Sequence, residues 1–222
     1  MKPRVKICGI TEQADARFCA GAGADALGFI FYEQSPRFVE PAAAAEMIRA
    51  LPPFVTPVGV FVNATREFIE SVIARTGIRA VQLSGDESPG ECRGFSVSVV
   101  KAFRITNPAD VDLVKEYQIA AAMLDGSARG SSDGSKHRRR HRQEPSQEPS
   151  QEPSQEASQE ARSYGGSGTM PDLTIAVQIK KYHPLIIAGG LNPENVSEVV
   201  RAVRPYAIDV NSGVETSPGK KD

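Results

Sequence analysis

Short runs of β-branched and aliphatic residues recur along the chain, and most are separated by a window of amphipathic, helical period. That alternation is the pattern of strands joined by crossover helices, in which successive strands run parallel. The runs fall at Arg4–Cys8, Ala26–Phe31, Pro57–Val62, Ala80–Ser84, Ser98–Phe103, Ile119–Leu124, Leu185–Gly189 and Tyr206–Val210. Helices are expected over Glu12–Ala22, with Thr11 as its cap and Gly23 as its stop, over Pro41–Leu51, and near Thr65–Thr76, ended by Gly77. Asn107-Pro108 and Asn192-Pro193 each set a capping residue before a proline, so Ala109–Tyr117 and Glu194–Val203 are expected to be helical too. Eight alternations with near-continuous apolar strands favour a closed (β/α)8 barrel of the TIM type over an open doubly wound sheet, which more often holds about five or six strands.

One stretch breaks the pattern. From Gly126 to Arg162 there is no apolar periodicity: a Ser/Gly-rich start leads to the basic cluster KHRRRHR (Lys136–Arg142) and then to a QEPS repeat over Gln143–Glu160. A polar tetrapeptide repeat with proline cannot bury enough surface to offset its ordering entropy. The expectation is one barrel domain over residues 1–222, with residues 126–162 as a disordered excursion in the loop after the sixth strand. The other departure is the end. After the eighth strand the chain runs NSGVETSPGKKD, with no amphipathic window for a closing helix, so apolar faces at the seam are expected to be exposed.

Bulk properties narrow the class. A formal net charge of −1 gives no reason to expect a nucleic-acid partner, and the basic cluster reads as a solvated charge run balanced by the glutamates that follow. Three cysteines at irregular spacing, Cys8, Cys19 and Cys92, fit a reduced cytoplasmic protein rather than a disulfide framework. No apolar run approaches the roughly 20 residues needed to cross a bilayer. Oligomeric state is left open between monomer and homodimer.

Polar residues gather where the strands end: Cys8, Asp125, Gly189-Gly190 and Asn211-Ser212-Gly213. In such barrels those ends build the active site, although turns collect the same residue types. Gly189, Gly190, Ser212 and Gly213 follow the last two strands, where these barrels frequently hold phosphate, and glycine lets backbone N–H groups approach an anion closely. Gly166 and Gly168, in the loop after the sixth strand, are placed to close over the same ligand.

An ordered set of motifs resembles the phosphoribosylanthranilate isomerase family. KICGIT (Lys6–Thr11), GADALGFIFY…SPR (Gly23–Arg37), VGVFVN (Val58–Asn63), VQL (Val81–Leu83), KAFR (Lys101–Arg104), LD (Leu124–Asp125), YGGSG (Tyr164–Gly168), AGGLNPENV (Ala188–Val196) and DVNSGVE…PGKKD (Asp209–Asp222) span the chain outside the insertion. The resemblance implies an intramolecular Amadori rearrangement in tryptophan biosynthesis, with a phosphosugar substrate and neither metal nor organic cofactor. It assigns Cys8 as general base and Asp125 as general acid. Arg37 is the expected partner of the anthranilate carboxylate, and Asp209 a second substrate-binding candidate. Ser84 departs from the family, which commonly has histidine there. The competing readings are a degraded, non-catalytic phosphosugar-binding barrel, motivated by the insertion and the clipped end, and another phosphate-binding barrel using Lys101.

Overall fold

The computed structural model describes residues 2–126 and 169–222. The expected excursion after the sixth strand lies outside the described residues, apart from Gly126. Eight parallel strands close into a barrel in sequence order: β1 (Arg4–Ile7), β2 (Ala26–Ile30), β3 (Thr56–Phe61), β4 (Ala80–Leu83), β5 (Ser98–Phe103), β6 (Ala121–Asp125), β7 (Leu185–Ala188) and β8 (Ala207–Val210). The closing pair runs from Arg4 opposite Ala207 to Ile7 opposite Val210.

Strand alternation divides this wall into two faces. Large side chains such as Leu27, Phe29, Phe61, Leu83, Leu124 and Ile187 point outward into two apolar clusters under the helices. The inward face is sparse: Ala102, Ala121, Met123, Ile186, Ala188 and Ala207 form a small cluster of their own. Counting by twos from that cluster puts Asp125 and Asp209 inside, and the register of Lys6 with Asp209 and Ala26 brings in Lys6 and, two residues on, Cys8. A lining of alanines leaves space for polar groups toward the C-terminal rim.

The outer layer departs from a regular alternation. Helices α1 (Gln13–Gly21), α2 (Pro41–Arg49), α3 (Arg66–Thr76), α4 (Leu173–Ile179) and α5 (Val196–Val203) are present. Residues 84–97, between β4 and β5, contain turns but no helix. The expected helix at 109–117 is instead a 3-10 helix, Pro108–Glu116. Its buried residues, Val111 and Val114, are three apart, a spacing that a three-residue turn keeps on one face. Asn107 caps as expected, accepting from Ala109 N, and Thr65 caps α3 by accepting from Phe68 N. Thr11 does not cap α1; its hydroxyl donates to Gly219 O at 2.7 Å. Asn192 forms a side-chain turn with the N–H groups of Glu194 and Asn195, so α5 begins later than expected, at Val196.

No α-helix follows β8 among the described residues. Ser212–Val214 makes one 3-10 turn, and β9 (Glu215–Ser217) pairs antiparallel with β10 (Lys220–Lys221). This hairpin fastens to the first loop and first helix of the barrel: Thr11 holds Gly219, and Lys221 N donates to Asp15 Oδ2 of α1 at 2.9 Å. The exposure expected at the seam holds in part, with Phe18 of α1 and Tyr206, just before β8, both exposed. Ile208 and Val210 are buried against a cluster that includes Val199 and Val203 of α5.

Candidate active site

Strand β1 delivers Cys8 to the rim as part of Lys6-Ile7-Cys8, whose first and last side chains share the inward face. Cys8 is buried. Lys6, also buried, donates from Nζ to Asp209 Oδ1 of β8 at 2.8 Å. Burial works against the charge on Lys6, but the neighbouring Asp209 carboxylate and Cys8 sulfur outweigh it and hold the ammonium pKa above its ordinary value. Burial pushes the Cys8 thiol up; Lys6 and Lys221 oppose that shift and Asp209 adds to it. Gly28 of β2 makes this cluster possible. A Cβ there would lie 2.7 Å from Cys8 Sγ and 3.0 Å from Lys6 Nζ.

Asp125 ends β6 and is mostly buried. Burial raises its pKa from 3.8 to about 6; Arg104 and the Gly126 N–H pull it down, and Asp209 pushes it further up. Desolvation is thus the main cause, and it leaves a carboxyl that holds a proton well above the ordinary range. Asp125 and Cys8 therefore sit in the field of the same Lys6–Asp209 pair.

Arg37 does not stand free. Its Nε lies 3.0 Å from both Glu215 carboxylate oxygens, and its Nη2 is 2.6 Å from Glu215 Oε2. Glu215 also accepts from Lys221 Nζ at 2.7 Å, and Lys221 reaches the Cys8 carbonyl oxygen at 2.5 Å. Burial disfavours the Glu215 charge, but Arg37 and Lys221 hold its pKa below the usual carboxylate range.

The glycine loops after β7 and β8 border this mouth. Gly189 has φ +87°, and a Cβ on it would press on Gly126 N and Thr169 O, each at 2.6 Å, and on Asp125 Oδ1 at 3.0 Å. Gly190, at φ +60°, is held through its carbonyl by Asn195 Nδ2 at 2.8 Å. Gly213 packs so closely on the Leu191–Asn192 backbone that a Cβ would overlap the Leu191 carbonyl. Ser212 opens the turn beside it and is exposed. Gly166 and Gly168 lie outside the described residues.

Sequence reasoning missed Lys6, Glu215 and Lys221. Period-two alternation from Cys8 would have found Lys6. The Pro218-Gly219 dipeptide signals the turn that returns Lys221. Lys101, considered as an alternative catalytic lysine, faces outward beside Leu83 and Ala122 in the strand register. Ser84 accepts from Gln82 Nε2 at 3.1 Å, and Gln82 Oε1 is buried without a partner among the described residues. No helix among the described residues is long and apolar enough to cross a membrane.

A closed parallel barrel with a buried acid and a thiol at the C-terminal rim of its strands has the layout of a (β/α)8-barrel enzyme. The family model for N-(5'phosphoribosyl)anthranilate (PRA) isomerase matches residues 5–222. The N-(5'-phosphoribosyl)anthranilate isomerase of Geobacter metallireducens is 42% identical over 219 residues, covering 99% of this chain and 93% of the relative. The crystal structure of phosphoribosyl anthranilate isomerase from Thermotoga maritima aligns with TM-score 0.80 and 37% identity, over 100% of this chain and 93% of its own. A phosphoribosyl anthranilate isomerase in complex with reduced 1-(o-carboxyphenylamino)-1-deoxyribulose 5-phosphate aligns with TM-score 0.76 and 35% identity, over 100% and 93%. The chain belongs to the phosphoribosylanthranilate isomerase family.

Proposed function

We propose that this protein isomerises N-(5-phosphoribosyl)anthranilate to 1-(2-carboxyphenylamino)-1-deoxyribulose 5-phosphate, a step of tryptophan biosynthesis, with Asp125 as acid and Cys8 as base. The reading is carried by the pairing at one barrel mouth of a carboxyl whose pKa is raised to about 6 with a thiol on the opposite arc of strands. Asp125 gives its proton to the furanose ring oxygen as the C1–O bond breaks, and the nitrogen lone pair forms the C1=N bond of a Schiff base. The Cys8 thiolate then takes the C2 proton. The C2–H electrons form C1=C2, and the C1=N electrons return to nitrogen. Ketonisation of the resulting enolamine, with a proton delivered to C1, gives the product. The substrate's own nitrogen is the electron sink, so no cofactor enters.

The remaining residues orient the substrate. Arg37 meets the anthranilate carboxylate through Nη1, since Nε and Nη2 are engaged by Glu215. Backbone N–H groups of Gly189, Gly190, Ser212 and Gly213 receive the phosphate, assisted by Gly166 and Gly168. Asp209 reaches the substrate from within the barrel.

The reacting form has Asp125 protonated and Cys8 ionised, a minor arrangement of the singly protonated pair. Consequently kcat/KM climbs with pH to about 6, stays level while loss of the Asp125 acid offsets gain of thiolate, and falls once Cys8 is fully ionised. The test is the loss of substrate fluorescence with wild type, Cys8→Ser and Asp125→Asn. Each substitution should lower kcat by about 10²–10⁴-fold. Equal rates for all three would overturn the acid–base assignment. No turnover by well-folded wild type would favour a non-catalytic phosphosugar-binding barrel.

A further inference from the structure

We propose that Lys6 is a positioning residue for the base, supplying the fixed positive charge beside which the Cys8 thiolate forms, and that Asp209 holds it there. The proposal rests on Cys8 being the base of the proposed reaction, and it adds what lets a buried thiol act as one. Three geometric facts carry it.

First, Lys6 and Cys8 are two residues apart on one strand, so both side chains enter the barrel interior on the same line. The empty position at Gly28 brings them together: one point lies within 2.7 Å of Sγ and 3.0 Å of Nζ. Second, Lys6 is buried and its ammonium is only partly satisfied. An ammonium offers three donors. Among the described residues, Asp209 Oδ1 is its one oxygen acceptor within hydrogen-bond distance. The rest of its charge is directed at the sulfur, in surroundings of low polarisability where a nearby cation counts for much more than in water. Third, the pair is fixed. Lys6 and Asp209 are adjacent in the β1–β8 register, and their side chains are 6% and 8% exposed.

The charges facing Cys8 come from Lys6 on its own strand, Asp209 on β8 and Lys221 on β10; β2 contributes only Gly28. Lys6 favours the thiolate, and Asp209 disfavours it while keeping Lys6 charged. Lys221 donates to the Cys8 carbonyl oxygen and favours the thiolate less than Lys6 does. When Cys8 takes the C2 proton the sulfur becomes neutral, and Lys6 remains an ammonium throughout. Lys6 therefore transfers no proton and needs no contact with substrate.

The two partners act on the thiol in opposite directions, which separates this role from a structural one. The experiment titrates the ultraviolet absorbance of the thiolate in the intact, substrate-free protein, subtracting the Cys8→Ser titration to isolate Cys8. Lys6→Met should move Cys8 ionisation up by about one unit or more. Asp209→Asn, nearly isosteric and still able to accept from Lys6, should move it down. In kinetics, Lys6→Met should lower the level stretch of kcat/KM by about tenfold, the rate equivalent of one unit. It should also carry the alkaline fall to higher pH and leave KM little changed.

Shifts of the same sign in both variants, or no shift in either, would overturn the proposal. If Lys6→Met does not fold, Asp209→Asn decides alone: a downward shift supports it, and an upward or absent shift refutes it. Because the absorbance is read without substrate, a failure here is distinct from a failure of the reaction assignment, which would appear as turnover retained by Cys8→Ser.

Discussion

Two buried lysine–carboxylate pairs lie in the same barrel wall, and their chemistry is nearly identical. Lys6 meets Asp209 at 2.8 Å on the inward face, and Lys101 meets Glu87 at 3.0 Å on the outward face. The difference is in what else each ammonium touches. Lys101 Nζ also has the carbonyl oxygens of Leu83, Gly85 and Ala102 at 3.3, 2.8 and 3.0 Å, so its donors are fully occupied. Glu87 in turn takes the N–H groups of Asn63 and Gly85 at 2.9 and 3.1 Å. That arrangement ties the loop after β3 to the loop after β4, and no helix lies between β4 and β5. A buried lysine surrounded by acceptors is a fastening, and one left partly unsatisfied beside a thiol is available to chemistry.

The comparison is broken most severely at the fastening. Removing one partner of a buried ion pair leaves an uncompensated charge, at a cost of about 3–5 kcal/mol. Lys101→Met should therefore lower stability by that amount in denaturant titration, a large share of the roughly 5–15 kcal/mol that holds a domain together. Turnover per folded molecule should stay near wild type. If kcat collapsed while stability held, Lys101 would have to be returned to the catalytic machinery.

Asp125 sharpens the contrast in the other direction, because its burial is a cost that the folded state carries. Its folded pKa is about 6, against an ordinary value near 3.9 unfolded. The native state therefore holds its proton to higher pH than the unfolded chain does. The resulting stabilisation is complete below the unfolded value and is lost as pH rises through about 6, amounting to about 2–3 kcal/mol. Asp125→Asn should remove this dependence. At neutral pH it should be more stable than wild type by that margin while losing activity. Unfolding curves on either side of the folded pKa would test it, and a variant less stable than wild type at neutral pH would show that Asp125 is held by pairing rather than strained by burial.

How much of this was legible in the sequence follows from the range of the interactions involved. The strands were, because each is a local run of β-branched and aliphatic residues, and Ser98–Phe103 was placed to the residue. The α3 stop at Gly77, with φ +76°, is a local signal too. The helix at Pro108–Glu116 was read with the wrong period because a cap and a proline announce a start without specifying the turn that follows. Cys8 and Asp125 could be placed at strand ends, but the burial that raises Asp125 comes from the assembled wall. Lys6 gave its signal only through parity with Cys8, and its partner is 203 residues away. Arg37 shows the same limit. The family resemblance implied a carboxylate of the substrate as its partner, and the fold gives it Glu215, 178 residues on.

That contact is a third case between the two extremes. Lys221 and Glu215 are buried at 2.7 Å, with side chains 2% and 3% exposed, yet they belong to a hairpin at the rim and hold Arg37 in place. If the hairpin's service to the reaction is to orient Arg37, Glu215→Gln should act on substrate binding. The neutral amide keeps the shape and gives up charge assistance to both Arg37 and Lys221. A weakening of about 1 kcal/mol is the scale for such hydrogen bonds, corresponding to a KM rise of roughly fivefold with kcat nearly unchanged. Steady-state kinetics at saturating and limiting substrate would separate the two constants. A fall in kcat at constant KM would mean that the hairpin acts through Lys221 on the Cys8 backbone, and would move this third pair to the side of Lys6.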